Sequence, residues 1–439
     1  MLRLASPIIL QQLIISSLGL VDVMMIGQLG ETAVAAVGIA NQIFFLVVLL
    51  FFGITSGTAI FTAQYWGQKD INRIQNILGL CLLMSLTGAF IFSIIAILVP
   101  DRVIGIYTTD PDVIILGSQY LQIVAISYAA TAITTSFTVV LRSTEVVKLP
   151  MLVSVLALSL NTLLNFGLIF GNFGFPEMGV AGAAIGTISA RLFETTLLLV
   201  IIYSRKFPLA AGIKNLLNFR SIPLRIYFKT TLPVVITEII WSFGITVYIM
   251  AFARIGTESI AAYNIASTID SLMFVIFIGL GNACAIMVGN RIGAGENDLA
   301  TEYGKKYLLL AAIGSLFFGF MLIIITNPIL MVYKVSTATI GFANKLLVIK
   351  AISMPIRAIN FVILIGILRS GGDTRAAFLI DAGVIWIVGV PLALLGTFVL
   401  KLPVHWVYLM VLTDEAVKLL LGLKRFFSQR WIHTLAAPA

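Results

Sequence analysis

Charged residues are scarce in this sequence. They make up 11% of its 439 residues, whereas hydrophobic residues make up 60%. A soluble domain carries about 25% charged residues, because polar side chains must cover its surface. The deficit excludes a soluble globular protein and predicts one whose surroundings are themselves apolar, as they are in a lipid bilayer.

Cysteine and histidine are almost absent, with two residues of each type. Cys81 and Cys284 both fall in apolar stretches, so neither a disulfide framework nor a thiolate metal site is indicated. No Gly-x-x-x-x-Gly-Lys phosphate loop occurs, which leaves direct use of ATP unsupported. No Ser/His/Asp or Cys/His constellation can be assembled either. We therefore expect no enzyme and no resident cofactor.

What the sequence does contain is twelve long apolar segments, each exceeding the about 20 residues that a helix needs to cross a bilayer. We expect an all-α integral membrane protein with twelve transmembrane helices. No small-residue cleavage site follows the first segment, so we interpret it as a retained span rather than a signal peptide. The segments lie near residues 7–26, 34–64, 76–99, 113–141, 150–171, 179–203, 227–253, 259–289, 307–327, 340–368, 376–398 and 403–423.

The net charge of +9 has an uneven distribution along the chain. Most Lys and Arg residues between the segments occur at the N-terminus, in the tail and in the loops after even-numbered segments. The positive-inside rule places these parts, and both termini, in the cytoplasm of a cell whose plasma membrane holds the protein. The same rule explains the basic charge without a nucleic-acid partner.

The two halves of the sequence repeat each other at an offset of about 226 residues. Since each repeat has six segments, both enter the membrane in the same direction. We predict a six-helix lobe over residues 1–204, a cytoplasmic linker over 205–226 and a second six-helix lobe over 227–439. The matches include Pro7-Ile-Ile-Leu-Gln-Gln over Pro233-Val-Val-Ile-Thr-Glu, Gly67 over Gly293, and Leu141-Arg142-Ser143 over Leu368-Arg369-Ser370.

A few polar residues stand out in the first half. Asp22 lies in the first segment with no Lys or Arg within one helical turn. A buried charge costs roughly 2.5–3.5 kcal/mol on insertion scales. Burial favours the neutral carboxyl and a bound Na⁺ favours the ionised one, so Asp22 suits a coupling site; a structural pairing near the interface is the alternative. Asn161 and Asn165 share one helix face, and Thr187 adds a hydroxyl, although interhelical hydrogen bonds would also explain them.

The second half offers a further set of intramembrane acids. We consider Glu238, its repeat counterpart Gln12, Asp270 and Asp381 as candidates for binding a substrate or a proton. Glu238 is the one acid of its apolar segment. Other charges are expected to pair: Asp373 with Arg369 and Arg375, Arg191 with Glu194, and Lys418 with Asp414 and Glu415. Lys350 and Arg357 are expected to bind lipid phosphate or to line a central cavity.

The order of several motifs resembles the MATE (multidrug and toxic compound extrusion) transporters over the whole chain. The resemblance implies two six-helix lobes that rock during cation-coupled export. It also implies a first-half ion site at Asp22, Asn161 and Asn165, with Thr187. The motifs are Pro7 with Val21-Asp22, Gly30-Glu-Thr-Ala-Val-Ala-Ala36, Ala63-Gln64-Tyr-Trp-Gly67, Leu160-Asn161-Thr-Leu-Leu-Asn165, Gly256-Thr-Glu-Ser-Ile-Ala-Ala262 and Leu368-Arg-Ser-Gly-Gly-Asp373-Thr-Arg375.

Two departures from the family pattern leave questions open. Some relatives have aspartate where this chain has Asn165, so the coupling ion is Na⁺ or H⁺. Relatives with a second-half cation site carry a glutamate about one turn after Glu238, where this chain has Trp241.

The sequence thus predicts a monomeric antiporter that exports organic cations or other amphipathic small molecules. The alternative is a flippase for lipid-linked oligosaccharide precursors. Its anionic cargo calls for several basic residues within the spans. Only Arg191, Lys350 and Arg357 are expected near the middle of the spans, which favours the antiporter. A channel would need a symmetric ring of pore-lining groups, which two lobes do not naturally provide.

Overall fold

A computed structural model describes residues 2–331, 333 and 335–435. These residues are almost entirely helical. In this part of the chain the pairing outside helices is a single antiparallel bridge between Gly372 and Ile432. The predicted all-α architecture is therefore confirmed.

The first half contains a series of long helices with well-defined ends. Asp70 and Asp110 begin two of them, because their carboxylates accept hydrogen bonds from backbone N–H groups of the first turn. Gly171 ends another in the left-handed region, with a φ of 71°. The helices are α1 Leu2–Gly27, α2 Glu31–Gly67, α3 Ile71–Leu98, α4 Pro100–Gly105, α5 Pro111–Ala125, α6 Ser127–Ser143, α7 Lys148–Phe170 and α8 Gly179–Ser204.

The connection contains the short helix α9 Ile213–Leu216. The second half then repeats the order of long helices, as α10 Leu224–Ile255, α11 Thr257–Gly293, α12 Asn297–Leu330, α13 Thr337–Phe361, α14 Thr374–Phe378, α15 Val390–Leu394, α16 Val404–Val411 and α17 Thr413–Phe427. Helical turns join α13 to Arg369, and others join α14 and α15 into one helix from Thr374 to Val399.

Ten helices of the described chain are long and apolar enough to cross a membrane. The pair α5 and α6, bent by 47°, makes an eleventh span if it crosses as one. The twelfth predicted segment is the broken pair α16 and α17, which carries Asp414, Glu415 and Lys418 in the first two turns of α17. These charges make the pair less apolar than the ten helices above, and each of its two helices is shorter than they are.

Contacts divide the chain into two compact units. The first unit comprises Leu10–Tyr227, and the second comprises the residues up to Ile9 together with those from Phe228 onward. The connection predicted as a linker is packed onto the first unit. Nε2 of Gln75 donates to the carbonyl oxygen of Pro208 at 2.7 Å, and Nδ2 of Asn215 donates to Oε1 of Gln75 at 3.1 Å.

Small residues allow neighbouring helices to approach closely within each unit. A Cβ at Gly182 of α8 would lie 2.5 Å from the carbonyl oxygen of Leu168 in α7. In the second unit, a Cβ at Gly319 of α12 would lie 2.7 Å from the carbonyl oxygen of Ala351 in α13. Such contacts between backbones are typical of helices that associate in membranes.

Wide π-helical turns are concentrated in the tenth and eleventh spans. They cover Val362–Arg369, Leu379–Gly383, Ile385–Gly389 and Leu395–Val399. A π-turn changes the direction of the side chains that follow it and is frequent at functional sites. Two charged residues lie in these turns: Arg369, which is buried, and Asp381, which is partly buried.

Candidate functional site

Asp22 of α1 lies against two asparagine side chains of α7. Nδ2 of Asn165 donates a hydrogen bond to Oδ1 of Asp22 at 3.0 Å. When the Asn161 amide is oriented with its nitrogen towards the same carboxylate, Nδ2 lies 3.0 Å from Oδ2 and 3.3 Å from Oδ1. The structure therefore brings together the three residues that the sequence indicated for a cation site.

Because Gly186 of α8 has no side chain, the amide of Asn165 can pack directly against its backbone. A Cβ at Gly186 would collide with Oδ1 of Asn165 and would lie 3.3 Å from its Cγ. This Oδ1 is buried and has no hydrogen-bond partner in the described part of the chain. Hard cations prefer oxygen ligands, so an unpartnered amide oxygen beside a carboxylate fits such an ion.

In the described part of the chain, the Asp22 carboxylate lies beyond ion-pair distance of every Lys and Arg nitrogen. Arg191 of α8 is close enough to act on Asp22 electrostatically. Its Nη1 is bound to Oε2 of Glu194 at 3.0 Å, as the sequence predicted for this pair. Asp22 is thus a partly buried carboxylate whose nearest partners are neutral amides.

A second polar group of the first unit is a continuous chain of hydrogen bonds. Nη2 of Arg142 donates to Oε1 of Gln11 at 2.6 Å, and Nε2 of Gln11 donates to Oγ of Ser154 at 2.8 Å. Oγ of Ser154 in turn donates to Oε1 of Glu194 at 2.7 Å. The chain ends at Arg191, so it connects side chains of α1, α6, α7 and α8.

Two residues predicted for the site lie outside these contacts. Oγ1 of Thr187 donates to the carbonyl oxygen of Ala183 in its own helix at 3.0 Å. Thr187 makes no hydrogen bond to Asp22 in the described structure. Gln12 is half-buried and also makes no side-chain hydrogen bond there, whereas its neighbour Gln11 occupies the chain described above.

In the second unit Glu238, the one acid of its apolar segment, has a basic partner that the sequence did not predict. Nη1 of Arg369 donates to its Oε1 at 2.7 Å, and Nη2 of Arg369 lies 3.8 Å from Oδ2 of Asp381. The sequence assigned Arg369 to a cytoplasmic loop, but the π-turn carries the helix through this residue. Asp373 pairs instead with Arg425, whose Nε lies 2.6 Å from Oδ2; the predicted pairs with Arg369 and Arg375 are wrong.

Lys418 of α17 lies among three carboxylates. Its Nζ is 3.2 Å from Oδ1 of Asp381, 3.2 Å from Oε1 of Glu415 and 3.9 Å from Oδ2 of Asp414. The predicted local pairing within α17 is present, and Asp381 joins it from the eleventh span.

Asp270 of α11 is neutralised by two cations from α13. Arg357 donates to both of its oxygens, at 2.7 and 2.8 Å, and Nζ of Lys350 lies 3.3 Å from Oδ2. The ammonium group of Lys350 also lies over the rings of Tyr263 and Tyr408, 5.4 and 4.9 Å from their centroids. Asp270, Lys350 and Arg357 therefore form one ion-paired group, a pairing that the sequence did not predict.

The polar contacts of the two units follow the internal repeat. Arg142 and Arg369 are repeat counterparts 227 residues apart, and so are Ser154 and Asp381. Each arginine binds the first helix of its half, at Gln11 in one unit and at Glu238 in the other. The repeat therefore preserves a buried polar connection while its charges differ between the halves.

The sequence model of the MatE family matches residues 7–166 and again residues 233–395, which together are more than half of the chain. The chain belongs to the MatE family. The double match agrees with the internal repeat, since each half is recognised separately. MatE proteins are membrane transporters involved in multidrug efflux, and the multi-pass helical structure is consistent with that role.

Curated MatE relatives resemble the chain over almost its full length. YisQ of Bacillus subtilis (strain 168), described as an uncharacterized transporter, is 25% identical and covers 97% of this chain and 93% of its own. A probable multidrug resistance protein NorM of Thermotoga maritima is 24% identical, with 98% and 92% covered. Among solved structures, a mutant of the Vibrio cholerae MATE transporter VcmN superposes with a TM-score of 0.87 at 18% identity, covering 98% of this chain and 96% of that one.

Several residues of these MatE polar groups were missed by reasoning from sequence. Gln11 and Ser154 are buried and Arg142 is partly buried in the first unit. Asn360 and Tyr248 contact the acids of α17 in the second. One signal was available for two of them. Arg142 and Ser154 have charged repeat counterparts at the same offset, so the comparison of the halves indicated a shared polar position.

Proposed function

We propose that this MatE protein exports amphipathic organic cations in exchange for Na⁺ or H⁺, and that Asp22, Asn161 and Asn165 bind the coupling ion. The observation that carries the proposal is the Asp22 carboxylate, which lies between two amides and has no basic partner within ion-pair distance among the described residues. Such a group can exchange one positive charge without breaking an ion pair.

The two amides allow either ion to be accommodated. With the Asn161 amide oriented with its nitrogen towards Asp22, both amide nitrogens face the carboxylate, an arrangement that stabilises the ionised form. Protonation of Asp22 would remove the acceptor that both nitrogens use. A sodium ion would instead favour both amide oxygens, so each side chain would turn about its last torsion. The unpartnered Oδ1 of Asn165 supports this second possibility.

Coupling follows from differential affinity. A cation that binds Asp22 more tightly in the outward-facing state shifts the population towards that state, in which a substrate is released. We propose that the two six-helix lobes rock to exchange the states, as in other transporters built from repeats. We further propose that the protein acts as a monomer in the plasma membrane with both termini in the cytoplasm.

The flippase alternative is weakened by the pairing of the basic side chains inside the second unit. Lys350 and Arg357 share Asp270, Arg369 binds Glu238, and Lys418 contacts three acids. An anionic diphosphate would have to displace these carboxylates, at the cost of leaving buried negative charges unpaired.

Uptake of a fluorescent organic cation into proteoliposomes under an imposed Na⁺ or pH gradient tests the proposal. We expect transport under one of the two gradients, and Asp22→Asn to abolish it. Asp101→Asn, which changes an exposed acid of the same unit, is the matched control and should transport normally. Transport that survives Asp22→Asn would place the coupling site elsewhere, and no transport under either gradient by the folded protein would argue against organic-cation antiport.

A further inference from the structure

The second unit places more carboxylates than cations around α17. With every group ionised, the four carboxylates outnumber the two cations of this cluster by two charges, and two of the acids, Glu238 and Asp414, are buried. A buried charge without a partner is so unfavourable that the group neutralises by exchanging a proton instead. The cluster consists of the carboxylates of Glu238, Asp381, Asp414 and Glu415 and the cations of Arg369 and Lys418.

Asp414 has the weakest counter-charge of the four acids. Glu238 binds Arg369 at 2.7 Å, whereas Asp381 and Glu415 each lie 3.2 Å from Lys418. Asp414 is 3.9 Å from the same ammonium group, beyond hydrogen-bond distance, although its side chain is only 4% exposed.

The hydrogen bond that Asp414 does make is to a neutral group. The hydroxyl of Tyr248 in α10 donates to its Oδ2 at 3.0 Å. Gly389 leaves the room for this contact, because a Cβ there would collide with the hydroxyl and lie 3.1 Å from Oδ2 of Asp414. The packing of three spans thus holds a tyrosine, rather than a cation, against this carboxyl group.

Hydrogen-bond donors are also too few beside Glu415, the residue that follows Asp414 in α17. The amide of Asn360 donates through Nδ2 to Oε2 and to the backbone oxygen of Glu415, both at 2.7 Å. Its Oδ1 is buried and has no partner among the described residues. An acceptor left without a donor beside an excess of carboxylates indicates that the cluster holds a proton which completes its hydrogen bonding.

The other charged or titratable groups on the elements packed against α17 lie against partners other than Asp414. Arg357 and Lys350 of α13 bind Asp270, and Arg357 also acts electrostatically on Glu415. Tyr408 of α16 faces the ammonium group of Lys350, and His405 lies against the ring of Phe342. None of these groups supplies Asp414 with a counter-charge at closer range than Lys418.

We propose that Asp414 binds an exchangeable proton, which makes the second unit a proton site separate from the one at Asp22. One H⁺ from water adds to a carboxylate oxygen and forms an O–H bond; no other bond changes. The inference goes beyond the proposed coupling site and does not depend on it, because it rests on residues of the other unit alone.

Labelling of the full-length protein with dicyclohexylcarbodiimide, which attacks protonated carboxyl groups in apolar surroundings, tests this proposal. We expect peptide mass spectrometry to find label on Asp414, decreasing by about tenfold per pH unit once the proton is lost. Asp270 is the matched control, since it is equally buried but held by Arg357. Label on Asp414 no greater than on Asp270 at any pH would count against the proposal.

A stability measurement gives an independent readout that needs no access of a reagent. Asparagine has the shape of a neutral aspartic acid, so Asp414→Asn should unfold within a few degrees of the wild type at neutral pH. The variant should also lose one carboxyl group from the infrared pH titration. Asp270→Asn should unfold at a clearly lower temperature. An Asp414→Asn variant that is as unstable as Asp270→Asn, or whose titration matches the wild type, would overturn the proposal. Neither result depends on transport through Asp22.

Discussion

Replacing Gly186 by alanine adds one methyl group beside the Asp22 site and removes no polar atom. The new Cβ would collide with Oδ1 of Asn165 and would lie 3.3 Å from its Cγ and 3.4 Å from its backbone nitrogen. Because Oδ1 is at the end of a rotatable side chain, we expect the amide to move rather than α8. The hydrogen bond from Nδ2 to Asp22, 3.0 Å long, should then break.

The expected magnitude follows from that one bond. A hydrogen bond to a charged group contributes about 1.5–3 kcal/mol, which is about a tenfold to hundredfold change in a binding constant. If Na⁺ is the coupling ion, it loses a ligand, and the half-saturating Na⁺ concentration rises by that factor. If H⁺ is the coupling ion, the proton is held more tightly, and coupling persists to higher pH by about one to two units.

Transport by proteoliposomes at varied Na⁺ concentration and pH measures this change. Gly38→Ala in α2 is the control, because no atom lies within 4 Å of its Cβ. It should leave the ion dependence unchanged and, like alanine in other helix interiors, add about 0.5–1 kcal/mol of stability. If Gly186→Ala folds normally and keeps the wild-type ion dependence, Asn165 has no part in coupling and the reasoning is refuted.

Three further substitutions test the charge pairs and the packing. Asp270→Asn leaves two buried cations unpaired and should lower the free energy of unfolding by about 3–5 kcal/mol, against less than about 0.5 kcal/mol for the exposed Asp298→Asn; thermal unfolding in detergent compares them. Gly182→Ala must separate α7 from α8 and should cost about 1–3 kcal/mol, so an unchanged melting curve would contradict the close approach. Gln11→Ala breaks two buried hydrogen bonds and should cost about 1–3 kcal/mol, whereas Gln12→Ala should be nearly neutral; the reverse order would place Gln12 in the hydrogen-bonded chain.

The first-unit site was predictable from sequence because its key relationships are local. Asn161 and Asn165 are four residues apart, so they share a helix face whatever surrounds them. Arg191 and Glu194, three residues apart, pair for the same reason. The meeting of Asp22 with the two asparagines was implied only by the family resemblance, since periodicity alone does not place α1 against α7.

The ion pairs of the second-unit acids could not be predicted from helix periodicity, because their partners are distant in the sequence. Glu238 finds its partner 131 residues later in the chain, and Asp270 finds Arg357 at a separation of 87 residues. Arg369 also lies where hydropathy ends a span, whereas the structure continues the helix through it as a π-turn. Such turns depend on packing against neighbouring helices, and a composition window does not detect them.

The sequence predicted Gln12 as a site residue, whereas the structure places Gln11 in the hydrogen-bonded chain, and this error has a similar cause. One residue turns a side chain by about 100° around the helix axis, and the repeat alignment is uncertain by about that much. Only the positions of Arg142 and Ser154 select which glutamine is used.

The sequence by itself determined that the chain spans a bilayer as two related sets of helices, because apolar length and a fixed repeat offset need no tertiary information. It also determined which carboxylates enter the apolar segments. Only the tertiary structure decided which charge neutralises which. Among the groups described, it left Asp22 with no cation within ion-pair distance and Asp414 with its cation, Lys418, 3.9 Å away. The physical reason is that an ion pair between helices depends on distances that the periodicity within one helix does not specify.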